Sequence, residues 1–519
     1  MKARKMIPRP FLTFLLVRLS SVFLVQTWFV ADEYWQATEV AHNIAFGYGY
    51  LTWEWKEGLR SILYPGALAC LYKVLAVFSL DYPLLLIHMP RVLHACAFAV
   101  GDFFTWKLSQ KLYNKDAAYW TYVCLMSSWF LEYCAPRTLT SCMEMVLTSV
   151  ALWFYPWKNK RESCSASYLW FVGISCILRP TSAVLFVPLC LHHVWASSCR
   201  LWLAVKFSAI IFAVLALSIG LDSWYYGQLV VVPWRFAHFN VASGLAAHYG
   251  THPWHWYLTQ GLPATLTIHT VPFLLGALCH SRRHTHLLPL CVWSIFVYSC
   301  LGHKEFRFLL PVLPLCLCIA GDYIAFTIAN LSKKKDLSSK QWSFIAAASL
   351  WIPNILALIY LGLFHQRGPL DTMTVIEQEL NTVKEPDVLF LMPCHSTPYY
   401  GHLHRNISMR FLTCEPNLKH QENYIDEADI FERNPMSWLQ QEYKSITTQD
   451  SNISQHKLHE GKRNSLGKSF PSHVVLFDVL VDRVYDFLNG NGFQKCHEIF
   501  HAHVEDGRRG RFIHIYCRV

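Results

Sequence analysis

Apolar runs of membrane length alternate with short polar turns over the first 364 residues; beyond them the chain turns polar, with only brief apolar stretches. Phe11 to Val30 is the first long run, broken only by Arg18 and Gln26. At about 1.5 Å per residue it suffices for a ~30 Å hydrocarbon core. Further runs near 84–106, 117–132, 140–157, 166–180, 182–199, 201–222, 263–280, 287–302, 308–330 and 341–364 bring the expectation to about eleven spans. Tyr64–Ser79 is also apolar, but counting it as a span would move Lys107, Lys111 and Lys115 across the membrane, so it reads as a helix lying along the interface. After Phe364, apolar strands at Val388–Met392, Val474–Leu480 and Phe512–Tyr516 and a helical pattern at 482–489 predict an α/β domain over residues 365–519. Asn452–Lys468 reads as a surface loop within it.

Charge assigns sides to these elements. With the basic start Met1-Lys2-Ala3-Arg4-Lys5 inside, Lys158, Lys160 and Arg161, then Arg200, then Arg282 and Arg283, then Lys333 to Lys335 all fall on the cytoplasmic side. Residues 1–10 are then cytoplasmic, and 11–364 form the transmembrane domain. The loop 31–83, the turn at Arg137, the loop 223–262, the turn 302–308 and the tail share the luminal or exterior side. A basic start before an apolar run also suits a signal peptide, but no small-x-small cleavage pattern follows, which favours an uncleaved anchor.

Composition supports a membrane protein and narrows its partners. Charged residues are 15% of the 519, against about 25% in soluble domains, while hydrophobic residues make up 53%. The 20 Trp and 25 Tyr suit the water–lipid boundary. The net charge of +10 lies in clusters between apolar runs rather than in a basic groove, so membrane lipids are expected as partners and nucleic acid is not. Of 18 cysteines, Cys394, Cys414, Cys496 and Cys517 lie in the tail, allowing up to two disulfides in three connectivities in an oxidising lumen. Asn406 and Asn452 head N-glycosylation sequons there; Asn330 abuts the lysine run and is expected to stay unmodified.

The chemistry concentrates in the polar turns. Asp32 and Glu33 leave the first run directly, where an ionised group beside hydrocarbon is costly and is by default a functional candidate. As neighbours they point apart, so at most one faces a reacting group; a lone carboxylate suits a single displacement in which it takes a proton from an acceptor hydroxyl. The same residues also suit an N-cap. Trp35, Trp53 and Glu54 follow in the same loop as candidate substrate contacts. Gly302-His303-Lys304-Glu305-Phe306-Arg307-Phe308 puts His303, Lys304 and Arg307 where a lipid phosphate would lie, with Glu305 beside them; interfacial snorkelling is the competing reading. His252, Trp254 and His255 interleave imidazoles with aromatics, as suits sugar stacking or an aromatic belt. They lack the third ligand of a catalytic zinc site, and no CxxC spacing occurs. Arg137 and Arg179 are further luminal-side cations that snorkelling also explains. No Walker motif, phosphate loop or GxSxG elbow is present, and no paired broken helices point to a transporter.

Taken together, Asp32-Glu33, the Tyr-Gly-Tyr-Leu-Thr-Trp-Glu-Trp run at 48–55, Arg137-Thr138-Leu139-Thr140, the His252–Tyr257 segment and His303–Phe308 resemble family 22 glycosyltransferases. The resemblance runs from about residue 11 to about 517. It implies a GT-C fold in the endoplasmic reticulum membrane, dolichyl-phosphate-mannose as donor, and no cofactor or metal. Met392-Pro393-Cys394-His395-Ser396-Thr397-Pro398-Tyr399-Tyr400 and His365-Gln366-Arg367-Gly368 resemble the branch that adds the third mannose, in α-1,2 linkage, to the GPI-anchor precursor. Carried over, Asp32 matches the catalytic base with Glu33 beside it. His303, Lys304 and Arg307, with Arg137, are assigned to the donor phosphate. Ala31 departs from the proline that often precedes the acidic pair. A relative acting on the dolichol-linked N-glycan precursor, and a transporter or scramblase, remain as alternatives.

Overall fold

The computed structural model describes residues 9–157, 164–239, 250–334, 337–381, 383–418, 421–443 and 470–518; the basic N-terminal stretch, Lys158–Arg161 and Asn452 lie outside them. The chain forms two compact units. One holds residues 1–26 and 32–363, the other residues 27–31 and 364–519.

The first unit is helical. Four of its helical stretches, Pro83–Leu112, Arg200–Tyr226, Tyr257–Cys279 and Leu313–Leu331, and a fifth run that begins with helix Ser339–Leu363, are long and apolar enough to cross a membrane. Shorter apolar helices include Leu63–Val77, Thr140–Phe154, Tyr168–Leu178 and Leu288–Cys300. Close packing depends on small residues, as expected where lipid tails compete with side chains for apolar contact. A Cβ at Gly321 would stand 2.5 Å from the Thr121 backbone nitrogen, so only glycine lets Leu313–Leu331 lie against Lys115–Ser127.

The first apolar run departs from expectation. Its helix is Arg9–Leu24, and the chain stops being helical before Val30. The Gln26 side-chain amide donates to the Val22 and Phe23 carbonyls, while the Gln26 backbone N–H donates to the Gly362 carbonyl at 2.7 Å and the Arg91 guanidinium caps the Val25 carbonyl, so a local cap and partners distant in sequence together satisfy the helix end. Arg18, seen in the sequence only as an interruption, is fully buried; its Nε donates to Asp102 at 2.7 Å and Nη1 to Glu132. Arg18 has thus found opposite charges within the apolar bundle, as the cost of burying a lone ion requires.

The second unit carries a five-stranded sheet, β1 (Asp387–Leu391), β2 (Ser408–Phe411), β3 (His473–Phe477), β4 (Phe493–Phe500) and β5 (Phe512–Arg518), in the order β2-β1-β3-β5-β4. Strands β2, β1 and β3 run parallel, and β5 and β4 close the sheet antiparallel. The central strands and helix Val481–Gly490 follow the apolar pattern, but the two edge strands escaped it. β2 has four residues, and β4 reads Phe-Gln-Lys-Cys-His-Glu-Ile-Phe, the polar, charged composition that protects a sheet edge from further pairing. Of the three disulfide connectivities open to the tail, the fold selects Cys394–Cys414 and Cys496–Cys517. A third pair, Cys164–Cys199, lies in the helical unit and was not expected. Asn406 is exposed on the second unit.

Candidate active site

Asp32 and Glu33 open a helix that widens into a π-type turn over Tyr34–Thr38 before continuing as Glu39–Phe46. Turns of this kind interrupt the backbone ladder and recur at functional sites. Successive side chains on a helix diverge by about 100°, and the two carboxylates accordingly meet different partners. Asp32 accepts from Nη1 of Arg307 at 2.5 Å, while Glu33 accepts from Nη1 of Arg137 at 2.7 Å.

These two pairs differ in access. Glu33 and Arg137 are 3% and 1% exposed, the Arg137 guanidinium carbon lies 3.9 Å from the Tyr133 ring centre, and Thr138 donates to the Glu33 carbonyl at 2.7 Å. The Asp32 side chain is 25% exposed. Of the acidic neighbours, then, Asp32 faces open space and Glu33 is tied into the fold.

Around Asp32 the turn 303–307 forms a relay of charge. Arg307 donates Nε to Glu305 at 2.7 Å and Nη2 to the other Glu305 oxygen at 2.6 Å, a bidentate fork, while Nη1 reaches Asp32. His303 Nε2 hydrogen-bonds the same Glu305 at 3.0 Å. Burial alone would raise the Glu305 carboxyl, but Arg307 and His303 outweigh it and hold it well below the usual carboxylate range. Burial likewise opposes the charges of His303 and Arg307, yet their acidic neighbours raise both above their ordinary values.

The remaining expected residues are spread more widely. Lys304 is 3% exposed and spends its ammonium on the carbonyls of Leu301 and of His252, the latter at 3.0 Å. With Arg137 committed to Glu33, Arg307 is the one among the expected phosphate cations that reaches Asp32. Arg179 does not snorkel either: it lies 3.4 Å from buried Glu144 and over the Phe308 ring. His252 stacks on Trp256, which in turn packs on Phe306, tying this loop to the 303–307 turn. Trp254 is exposed and meets His255 edge to face. Trp35 and Trp53 are buried, against Tyr50 and Phe239 respectively. Glu54 accepts from Gln36 of the π-type turn at 3.0 Å and from Arg60 at 2.7 Å. Arg60 and Gln36 were missed in the sequence; nothing in their spacing signals them, because Gln36 of the π-type turn and Arg60 beyond Trp53–Lys56 meet only through Glu54.

Among the described residues, two side-chain groups are close enough to hold a cation, Cys394 with His395 and Cys414, and Glu379 with His473 and Cys517. Both belong to the second unit, and each uses sulfur already committed to a disulfide.

A family model, the Alg9-like mannosyltransferase family, matches residues 9–404. GPI alpha-1,2-mannosyltransferase 3 of Bos taurus is 40% identical over 97% of this chain and 87% of its own length; that of Danio rerio is 41% identical over 97% and 88%. The Drosophila melanogaster GPI mannosyltransferase 3 is 39% identical over 95% and 84%. Among solved structures, ArnT from Cupriavidus metallidurans bound to undecaprenyl phosphate superposes with a TM-score of 0.58 over 98% of this chain and 97% of its own, at 11% identity. That likeness shows the fold, a multi-pass GT-C architecture embedded in the membrane. With the acidic pair, the 303–307 turn and these full-length relatives in hand, the chain belongs to the Alg9-like mannosyltransferase family.

Proposed function

We propose that this chain transfers mannose from dolichyl-phosphate-mannose, in α-1,2 linkage, to the second mannose of the GPI-anchor precursor, on the luminal side of the endoplasmic reticulum membrane. The acceptor reading is carried by relatives named for that linkage, which align over nearly the whole chain at about two identical residues in five. The side is carried by charge: the clusters at Arg200, Arg282 and Arg283, and Lys333–Lys335 fall opposite to Asp32 and the 303–307 turn.

The chemistry follows from the Asp32–Arg307 contact. Asp32 takes the proton of the acceptor hydroxyl, whose oxygen forms a bond to the anomeric carbon of the donor. The bond from that carbon to the phosphate oxygen breaks on the opposite face, its electron pair leaves on dolichyl phosphate, and the configuration inverts. Arg307, already fixed by its fork to Glu305, stabilises the departing anion at little cost in reorganisation. Asp32 occupies Nη1 of Arg307; a donor phosphate competes for that nitrogen and frees the carboxylate for the acceptor. No metal is required in this scheme, since guanidinium supplies the positive charge.

The test is restoration of surface GPI-anchored proteins in cells that accumulate the two-mannose precursor, with lipid intermediates profiled for wild type and Asp32→Asn. Rescue by wild type alone, with the precursor consumed, is expected. Failure of correctly located wild type would overturn the acceptor assignment.

A further inference from the structure

The cations expected to hold the donor phosphate are largely occupied. Arg137 neutralises Glu33 in a closed pocket, and Lys304 is spent on two carbonyls. A lipid phosphate leaving with a sugar's electron pair carries close to two negative charges, and one guanidinium shared with Glu305 and Asp32 offsets little of it. A second cation is needed close to Asp32.

Arg60 is placed for this. Its Nη2 holds Glu54 at 2.7 Å, and Glu54 in turn is held by Gln36, four residues after Asp32. Among the described residues its Nε has no hydrogen-bond partner, and the side chain is 25% exposed, so the guanidinium keeps donor capacity within reach of a ligand. The segment carrying it is fixed on both sides. The Glu57 backbone carbonyl accepts from Arg235 at 2.8 Å before it; after it, Ser61 and the Ile62 backbone both donate to Asp222 at 2.9 Å, and Tyr226 donates to the Arg60 carbonyl at 2.8 Å. The Phe236 ring lies 5.6 Å from its guanidinium carbon. Burial opposes the charge on Arg60, whereas Glu54 and then Asp32 favour it and raise its pKa above the ordinary value, Arg307 acting against them. Such fixing of a cation with a spare donor is what electrostatic catalysis asks for, because little reorganisation remains when charge develops.

We propose that Arg60 is a second donor-phosphate ligand, acting with Arg307 on the phosphate of the lipid-linked sugar and on the dolichyl phosphate that departs. It rests on the reading of Asp32 and Arg307 given above. In the step already written, Arg60 transfers no proton; it stabilises the electron pair that remains on the phosphate oxygen when the bond to the anomeric carbon breaks.

The experiment measures dolichyl phosphate binding to the purified full-length protein in detergent, with unphosphorylated dolichol as reference, for wild type, Arg60→Lys, Arg60→Gln and Glu54→Gln. Arg60→Gln is expected to weaken dolichyl phosphate about tenfold or more, one lost charge-assisted contact, and to leave dolichol unchanged. Arg60→Lys should recover part of the loss, and Glu54→Gln should weaken dolichyl phosphate less than Arg60→Gln, because Arg60 keeps its charge but loses the contact that fixes it. Equal dolichyl phosphate affinity in wild type and Arg60→Gln overturns the assignment, as does an equal loss for dolichol, which marks a structural role. Should Arg60→Gln fail to accumulate, Arg60→Lys alone decides: wild-type affinity for phosphate together with lowered turnover would contradict a phosphate contact. Wild type that binds dolichyl phosphate but transfers nothing to the two-mannose precursor would overturn the acceptor reading and leave Arg60 standing.

Discussion

Asp32 and Arg307 stand 275 residues apart in the chain and meet at 2.5 Å, so the acid that follows the first helix and the base of the 303–307 turn share one site. Replacing Asp32 by Asn keeps the shape and removes the proton acceptor. Turnover is expected to fall by roughly 10²–10⁴, the usual worth of a positioned base, with protein level unchanged by immunoblot. An Asp32→Asn enzyme with wild-type kcat would remove it from the chemistry.

Arg307→Lys keeps a charge but cannot hold Glu305 with a fork and reach Asp32 at once. A rate loss of about 10²–10³ is expected, typical of losing one preorganised donor, expressed in kcat more than in the KM of the acceptor. Steady-state kinetics with both substrates varied will show it.

Glu33 and Arg137 predict a different phenotype. Removing one partner of a buried ion pair costs roughly 3–5 kcal/mol because the other is left uncompensated. Glu33→Ala and Arg137→Ala are therefore expected to lower the amount of folded protein, read by detergent-extracted yield and thermal stability. A Glu33→Ala protein that is abundant and stable yet inactive would show that Glu33 serves the chemistry directly.

The His303–Glu305 contact sets a pH dependence. His303 is raised above its ordinary 6.5, so its imidazolium contributes fully below that value and its contribution is lost as pH rises through the folded pKa. Glu305 is lowered, so its own contribution is present at neutral pH and lost only in strong acid. Activity against pH is expected to show an alkaline decline that His303→Gln removes; an unchanged decline in that variant would assign it elsewhere.

The three sulfur pairs test sidedness. Under the proposed sidedness Cys164 and Cys199 border cytoplasmic loops, where a reducing cytosol is expected to open the Cys164–Cys199 bond, while Cys394–Cys414 and Cys496–Cys517 lie in the lumen and stay disulfides. A membrane-impermeant maleimide applied to intact microsomes should label Cys164 and Cys199 without reductant and leave the four tail cysteines untouched. Resistance of Cys164 and Cys199 until the membrane is opened and reduced would reverse the side assignment.

Much of this protein was legible along the chain. Long apolar runs determine membrane helices because the hydrocarbon core demands internal backbone hydrogen bonding over a known length, and short apolar runs marked β1, β3 and β5. The acidic pair and the basic turn stood out because charge beside hydrocarbon is expensive. What the sequence left open depends on contacts between distant residues. The first helix ends at Leu24 because Gly362 and Arg91 take up the backbone groups beyond it, and edge strands β2 and β4 are set by their neighbours rather than by their own hydrophobicity. Only the tertiary structure decided that Asp32 turns to Arg307 while Glu33 turns to Arg137, that Lys304 spends its charge on carbonyls, and that Arg60 and Gln36 meet on Glu54. Side-chain charge is visible in a sequence, but its partner is chosen by packing, where each buried ion must find an opposite one or stay in water.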